Sequence, residues 1–455
     1  MNPEFRRNLW LQWSPQRAVL MPAVLLLIAM GVYSSSSASE LWRDLGNIFG
    51  VLMGALAAAW GSVLTVSSIN QEVAERTWDQ QRLSSLTPWQ MTWGKLLGAV
   101  SYAWYGALLC AAVVAASALR QGQWGLVLPL LAAGMAAALA LHAWVMATCL
   151  HVRDPRQVQP LHSALSGLLL LLVLMGMQAV IGLWGLLDTG ADDPQGGWWQ
   201  LGWAPQWQAL ALALAMLALG LLAAWRCMGE QLMVRTLPWA WPLGCAALGG
   251  VLAGFLPPEW PLAWRLLTAI FWVALAATGV NLLTVADSRL RWQTLGYHAR
   301  QRQWRRWAQA LPLWPLSWGL AALCLLPLLL SAPSHSAMAP AQLMAPMLLY
   351  MLRNAGIVLF FAWGASRRSP VAMALLSCLV LDLLLPVMLL GAQAGADTAL
   401  LPWLWPLWGA VSAHADDLAH TSPWRGMALH LLAVGMVLLW RWHRVPGAAQ
   451  ADQAG

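Results

Sequence analysis

The sequence predicts an all-α integral membrane protein with about twelve transmembrane helices. Of its 455 residues, 60% are hydrophobic and only 9% are charged, whereas a soluble domain carries about 25% charged residues. Apolar runs of the length that crosses a bilayer, about 20 residues, recur from end to end with short gaps between them. Lipid is therefore the solvent that this chain suits, and no soluble domain is expected.

The apolar runs define twelve candidate spans. The segment Thr87-Pro88-Trp89-Gln90 has the pattern of a helix start with a capping box, just before the third span. The seventh run is rich in glycine and the twelfth is short. The predicted spans are residues 18–34, 46–69, 95–119, 125–150, 162–187, 206–225, 238–256, 262–286, 311–331, 343–363, 370–391 and 426–440.

The positive charge predicts the orientation of the chain. The formal net charge is +7, and Lys95 is the only lysine, so nearly all of the positive charge is arginine. The arginines concentrate in alternate gaps, including the N-terminus, residues 70–94 and residues 287–310. The positive-inside rule then places both termini in the cytoplasm. This pattern indicates membrane orientation and contact with lipids, and it argues against binding to nucleic acid.

Motifs for chemistry are missing from the sequence. No pair of cysteines has CxxC spacing, so neither a metal site nor a disulfide framework is expected. The sequence contains no phosphate-binding GxxxxGK[ST] loop, no HExxH and no GxSxG. We therefore expect a chain that is not an enzyme and holds no cofactor of its own.

The chain shows signs of an internal duplication. Leu64-Thr65-Val66 ends the second predicted span and Leu283-Thr284-Val285 ends the eighth, and each leads into a long inner loop. We predict two parallel six-helix halves, residues 1–226 and 227–455.

Two N-terminal segments combine charge with helical periodicity. Within residues 1–17, aromatic and leucine side chains recur at helical spacing, which predicts an amphipathic helix in the membrane interface; the alternative is a frayed basic tail. Within residues 70–95, Glu72, Glu75, Asp79 and Arg82 follow at spacings of 3, 4 and 3, so they would line one face of a short helix. That helix would either be a docking site for a partner protein or a solvated turn that only joins two spans.

The stretches NPEFRRNLWLQWSPQR and EVAERTWDQQRLSSLTPWQMTWGKLLGA resemble the permease subunits of type-2 ABC exporters over roughly the first hundred residues. The resemblance implies an elbow helix at residues 2–17, a coupling helix at about 71–83 and re-entrant elements near 189–205. It also implies a cytoplasmic ABC ATPase partner, expected as a dimer, which holds the ATP. The implied location is the bacterial inner membrane. The implied contact residues for the ATPase are Glu72, Glu75, Trp78, Asp79 and Arg82.

The chain departs from that family in two respects. A typical subunit has six spans, so the transport unit would be either one copy of this chain or a homodimer. The second inner loop, residues 287–310, is strongly basic and lacks the acidic face of the first. It is either a diverged second coupling element or a loop that contacts anionic lipid headgroups.

Two opposite charges fall inside neighbouring predicted spans. Arg353 lies near the middle of the tenth span and Asp382 near the middle of the eleventh. Because a lone charge in the bilayer costs several kcal/mol, these two residues are expected to pair. The pair would either lock the helices together or serve in substrate binding or gating.

The sequence thus favours the permease subunit of an ABC exporter for an unidentified, lipidic or amphipathic substrate. The alternative is a twelve-span ion-coupled transporter of the major-facilitator type, although residues 70–94 lack the Gly-x-x-x-Asp-Arg pattern of that family. A membrane-embedded transferase would need a polar cluster at one interface, and the sequence offers none.

Overall fold

The computed structural model describes residues 2–75, 81, 86–151, 198–234, 237–284, 287–330, 334–364, 370–384, 387–388 and 423–444. All regular structure in these ranges is helical. Eight of the described helices are long and apolar enough to cross a membrane, so the chain is an all-α, multi-pass membrane protein. These eight correspond to the first four predicted spans and to the sixth, eighth, ninth and tenth.

The chain forms two compact units, Met1–Thr236 and Leu237–Gly455. The predicted division at residues 226–227 lies within a helix of the first unit. The helices of the first unit are α1 (Pro3–Gln12), α2 (Pro15–Ser35), α3 (Leu41–Gly54), α4 (Gly61–Ala74), α5 (Pro88–Gly98), α6 (Ser101–Arg120), α7 (Trp124–His151) and α8 (Pro205–Gln231).

The N-terminal helix is shorter than the range 2–17 predicted for an elbow helix. Helix α1 ends at Gln12, and the first span begins at Pro15. The hydroxyl of Ser14 caps α2 by accepting a hydrogen bond from the backbone N–H of Arg17, and Pro15 occupies the first helical position. Proline has no N–H to leave unsatisfied there, so the pair Ser14-Pro15 starts a new helix and breaks the one before it.

The second span contains a local π-helix. Residues Ala55–Trp60 connect α3 to α4 without a break, so that the span runs as one apolar helix from Leu41 to Glu72. The ring Nε2 of His142, in α7, donates a hydrogen bond to the carbonyl of Ala57 over 2.8 Å. A π segment offers carbonyls to other partners because its i→i−4 ladder is interrupted. His142 is thus an interhelical hydrogen-bond partner.

The third predicted span, 95–119, is interrupted. Helix α5 begins at Pro88 with the predicted capping box, in which Thr87 and Gln90 bond reciprocally. It ends at Gly98, and α6 begins at Ser101 after a turn at Ala99 and Val100. Only α6 has the length and composition of a span, and α5 precedes it as a separate, largely buried helix.

The second unit contains α9 (Ala240–Leu252), α10 (Leu262–Thr284), α11 (Arg289–Arg300), α12 (Trp304–Ala310), α13 (Leu313–Leu330), α14 (Ser334–Ala362), α15 (Pro370–Leu379) and α16 (Pro423–Arg444). Helix α10 packs against α9 and α13, and α14 packs against α15 and α16. Their contacts bury an apolar core that includes Phe271, Leu328 and Met344.

Several predicted spans are shorter than predicted or lie outside the described residues. The seventh is an apolar helix of Ala240–Phe255, and the eleventh covers Pro370–Leu384, with a π segment at Val380–Leu384. Helix α16 covers the twelfth predicted span but carries arginines towards its C-terminal end. The fifth predicted span, 162–187, and the re-entrant region up to residue 197 lie outside the described residues.

We predict that Gly98 is required for the contact between α1 and α5. A Cβ built on Gly98 would lie 2.6 Å from the Cβ of Asn8 and 3.2 Å from the carbonyl of Phe5. Overpacking of this kind costs about 1–3 kcal/mol, so Gly98→Ala should lower the unfolding temperature of the detergent-solubilised protein.

Gly31→Ala is the matched control, since a Cβ on Gly31, in the helix interior of α2, meets nothing within 4 Å. That substitution should be neutral or stabilising because alanine favours the helix by about 1 kcal/mol. Equal unfolding temperatures for the two variants would contradict a tight α1–α5 contact.

Candidate functional site

A group of four charged side chains and one amide joins three helices of the first unit. We call it the elbow cluster and define it as Glu4, Arg7, Asn8, Glu72 and Lys95. Glu4, Arg7 and Asn8 lie on α1, Glu72 lies in the last turn of α4, and Lys95 lies on α5. The cluster therefore connects the N-terminal helix α1 to the end of the second span and to α5, the helix that precedes the third span.

Local sequence features place α1 over α5. The side chain of Asn2 caps α1 by accepting from the N–H of Glu4, and its Nδ2 donates to the carbonyl of Gln90 over 2.5 Å. Two glycines of α5, Gly94 and Gly98, face α1 so closely that a Cβ on either would lie under 3 Å from an α1 side chain. Glycine lets the two backbones approach, and the longer polar side chains can then meet.

Lys95 is at the centre of the elbow cluster. Its side chain is 1% exposed, and its ammonium donates to Glu4 Oε1 over 2.9 Å and also to Glu72 Oε2. The guanidinium of Arg7 contacts the same two carboxylates, with NH2 2.8 Å from Glu72 Oε1 and NH1 3.4 Å from Glu4 Oε2. Two carboxylates and two cations balance, so the cluster carries no formal net charge, as buried charges require.

The electrostatics of the cluster keep Glu4 ionised. Burial opposes the charged form of Glu4, but Lys95 and Arg7 beside it, with a hydrogen bond from Asn8, outweigh burial and hold the pKa of Glu4 below its ordinary value of 4.5. The carboxylate is therefore charged at neutral pH. It ties α1 to α5 as an acceptor of charge-assisted hydrogen bonds.

Helix α1 turns its polar face towards the protein. Glu4 and Asn8 are buried, whereas Trp10 is 73% and Leu11 67% exposed. A soluble protein would place these faces the other way round. The outward aromatic and aliphatic face is typical of a helix that lies in the membrane interface, where lipid covers the apolar side.

The chain between α1 and α2 also contacts the start of α6. The indole N–H of Trp13 donates to the hydroxyl of Ser101, and its ring lies 5.1 Å from that of Tyr105. The hydroxyls of Tyr102 and Tyr105 donate to the carbonyls of Arg17 and Ala18. A displacement of α1 would therefore move the start of α6 as well as Lys95.

The structure places only part of the predicted coupling helix. Glu72 is 4% exposed and belongs to the last turn of the second span, so its side chain is not part of an exposed docking face. Its carboxylate faces inward because Lys95 and Arg7 are there to pair with it. Glu75 is exposed and accepts from the side chain of Gln71 over 2.7 Å. Trp78, Asp79 and Arg82 lie outside the described residues.

A second charged group, the membrane charge cluster, lies in the second unit. We define it as Arg353, Asp382, Tyr350, Asn354 and His430. Arg353 and Asp382 form a two-point ion pair, with NH1–Oδ1 at 2.8 Å and NH2–Oδ2 at 2.6 Å. The structure thus brings together the two residues that the sequence pairs.

Neutral side chains complete this cluster. Tyr350 donates to Asp382 Oδ2 over 2.7 Å, and Asn354 Oδ1 accepts from both Nε and NH2 of Arg353. His430 Nδ1, on α16, lies 3.4 Å from Arg353 NH1. Arg353 is fully buried, and Asp382 balances its charge. Its guanidinium donates hydrogen bonds to acceptors on α14, the π segment after α15, and α16. The arrangement can hold α14, the π segment after α15, and α16 together.

Several of these partners carry little signal in the sequence. Glu4 and Asn8 are four residues apart in a short helix. That spacing alone does not indicate a contact with Lys95. Tyr350 and Asn354 are four residues apart on α14, so they share a helix face close to Arg353. This spacing is a signal in the sequence that they are partners of Arg353. His430 is a polar residue in the twelfth predicted span and can only be linked to Arg353 through the fold.

No model of a known protein family, no curated protein and no solved structure matches this chain. The described residues contain no group of three or more metal-ligating side chains. The candidate site consists of the elbow cluster and the membrane charge cluster, in each of which positive and negative side chains balance.

We predict a pH-dependent contribution of Glu4 to stability. Because the folded pKa of Glu4 is below its ordinary value, its stabilisation is fully present above about pH 4.5 and is lost as the pH falls through the lower, folded pKa. Glu4→Gln should cost about 2 kcal/mol at pH 7, where Lys95 keeps Glu72 as a partner.

Thermal unfolding in detergent between pH 7 and pH 3.5 measures this contribution. The difference between wild type and Glu4→Gln should be constant from pH 7 to pH 5 and shrink below about pH 4.5. Glu40→Gln changes an exposed carboxylate that forms an ion pair with Arg43, and should change stability by less than about 1 kcal/mol. A difference between wild type and Glu4→Gln that grows on acidification would have the wrong sign.

We also predict that breaking the Arg353–Asp382 pair costs more than removing it. Asp382→Asn leaves the guanidinium of Arg353 buried without a counter-charge and should lower the unfolding free energy by about 3–5 kcal/mol. The double variant Arg353→Leu/Asp382→Leu removes both charges and should cost much less. Thermal unfolding in one detergent compares the two variants. A double variant as unstable as Asp382→Asn would show that the loss does not come from an unpaired buried charge.

Proposed function

We propose that the chain is the membrane-spanning permease subunit of an ATP-driven ABC exporter in the bacterial inner membrane. The observation that carries the proposal is the elbow cluster: an N-terminal helix with its apolar face outward is joined by buried charges to the end of the second span. The resemblance of the first hundred residues to type-2 permeases suggests the same two elements independently of the contacts.

The elbow cluster supports a mechanical role for this region. A partner that pushes on the segment after Glu75 would load the last turn of α4, where Glu72 pairs with Lys95 and Arg7. Lys95 would carry the load to α5, and Arg7 would carry it to α1. Ion pairs fix both the distance and the direction of such contacts, so movement of one helix displaces the others.

In this proposal ATP is bound and hydrolysed by a separate ATPase, expected as a dimer, and closure of that dimer drives the spans between inward- and outward-facing arrangements. The chain itself performs no catalysis. The predicted contact surface is Glu75 with Trp78, Asp79 and Arg82, while Glu72 acts from behind it as a positioning residue. The substrate is proposed to be lipidic or amphipathic because few polar side chains lie within the spans.

A second candidate is an ion-coupled secondary transporter, and the membrane charge cluster is the observation that favours it. Ionisable residues within a bilayer often belong to proton or ion pathways. Asp382, with Arg353, Tyr350 and His430 around it, has the residue types of such a pathway. In this candidate the two units are the parallel halves, and transport follows an ion gradient.

Co-purification with an ATPase tests the leading proposal. The tagged chain, extracted from its host in a mild detergent, should bring down an ATPase subunit, and transport in vesicles should require ATP. A chain that purifies without an ATPase and transports along a proton gradient would favour the second candidate.

Charge reversal at one end of a single helix sharpens this test. Glu75 and Glu40 are both exposed and lie at opposite ends of the continuous helix formed by α3, the π segment and α4. Glu75→Arg should reduce recovery of the ATPase about tenfold or more, while Glu40→Arg, on the predicted outer side, should leave it unchanged. Equal recovery with both variants would exclude Glu75 from the contact surface.

A further inference from the structure

The segment between α10 and α13 is a helical hairpin with an excess of positive charge. We call residues 287–310, which contain α11 and α12, the basic hairpin. Its sequence contains six arginines and a single acidic residue, Asp287. The hairpin follows one apolar span and leads into the next after Leu311 and Pro312, so it lies at the membrane surface.

One arginine and the single carboxylate fix the base of the hairpin. Asp287 is 3% exposed, accepts from Arg291 NH1 over 2.7 Å and from the indole N–H of Trp314 over 2.9 Å. Arg291 also donates through Nε and NH2 to the carbonyls of Ala310 and Leu311, each over 3.0 Å. The two ends of the hairpin are thereby tied together and to the start of α13.

The opposite end of the hairpin carries four of its six arginines. Arg300, Arg302, Arg305 and Arg306 are exposed, and no carboxylate pairs with any of them in the part of the chain that the structure describes. Arg302 has a φ of 54°, a left-handed conformation that ends α11 and turns the chain into α12. Exposed apolar side chains accompany the arginines: Trp304 is 62%, Tyr297 56% and Leu290 63% exposed.

We propose that the basic hairpin binds the anionic headgroups of phospholipids in the bilayer beside α10 and α13. Arginines that lie next to a span are attracted to anionic lipids. Trp304 and Tyr297 have an apolar ring and a polar tip, which suit the same interfacial layer. The base of the hairpin holds these side chains at that depth.

Charge and composition favour a lipid over a second docking contact with a protein. The acidic side chains that distinguish the first inner segment are missing from the hairpin, since its only carboxylate is buried at the base. Large apolar side chains are exposed among the arginines, where a bilayer can cover them without a further partner. The inference goes beyond the proposed transport function and does not rest on it.

Lipid titration of the purified full-length chain tests the inference. Native mass spectrometry in detergent should give tighter binding of phosphatidylglycerol than of phosphatidylcholine. Arg305→Gln/Arg306→Gln should weaken phosphatidylglycerol binding about tenfold or more. Arg305→Lys/Arg306→Lys keeps the charge and should retain most of the affinity.

The control variant Arg43→Gln/Arg120→Gln removes the same charge from two exposed arginines of α3 and α6 and should bind phosphatidylglycerol like wild type. Equal affinity for the two lipids, or the same affinity in the hairpin variant as in wild type, would overturn the proposal. A hairpin variant that keeps its lipid but no longer recovers an ATPase would assign the surface to a protein instead. If Arg305→Lys/Arg306→Lys lost as much affinity for phosphatidylglycerol as Arg305→Gln/Arg306→Gln, the proposal would also be overturned, because positive charge would then not determine binding.

Discussion

Every charge buried in this chain needs a counter-charge from the chain itself, because the hydrocarbon around the helices offers none. Both buried clusters obey this constraint. Lys95 has Glu4 and Glu72, and Arg353 has Asp382 with Tyr350 and Asn354 around the pair. Each cluster links helices that are distant in sequence. Pairing therefore does more than neutralise charge, since it selects which helices lie together.

The elbow cluster depends on close backbone approach as well as on charge. Gly94 and Gly98 let α1 lie directly on α5, so that the short reach of Glu4 and Asn8 is enough to bury them. The same packing leaves Trp10 exposed on the far side. Buried polar contacts on one side and exposed Trp10 and Leu11 on the other suit a helix that lies in the membrane interface, where lipid replaces water on the apolar side.

The end of α4 and the basic hairpin have opposite electrostatic character. The first ends with the carboxylate of Glu72 turned into the protein and continues into Glu75 at the surface. The second has its only carboxylate at its base, paired with Arg291, and four exposed arginines at the opposite end. The first segment thus presents a negative charge at its surface, and the second presents positive charge.

Composition and apolar run length were sufficient to predict an all-α membrane protein, because hydrophobic content and the thickness of a bilayer act on any one stretch of sequence. The start of α5 at Thr87-Pro88 and the pairing of Arg353 with Asp382 could likewise be predicted, the first from local capping and the second from the cost of an unpaired charge. The break at Ser14, the turn after Gly98 and the inward orientation of Glu72 could not. They depend on which helices pack against one another, and neither Lys95 nor His430 carries a sequence signal that names its partner.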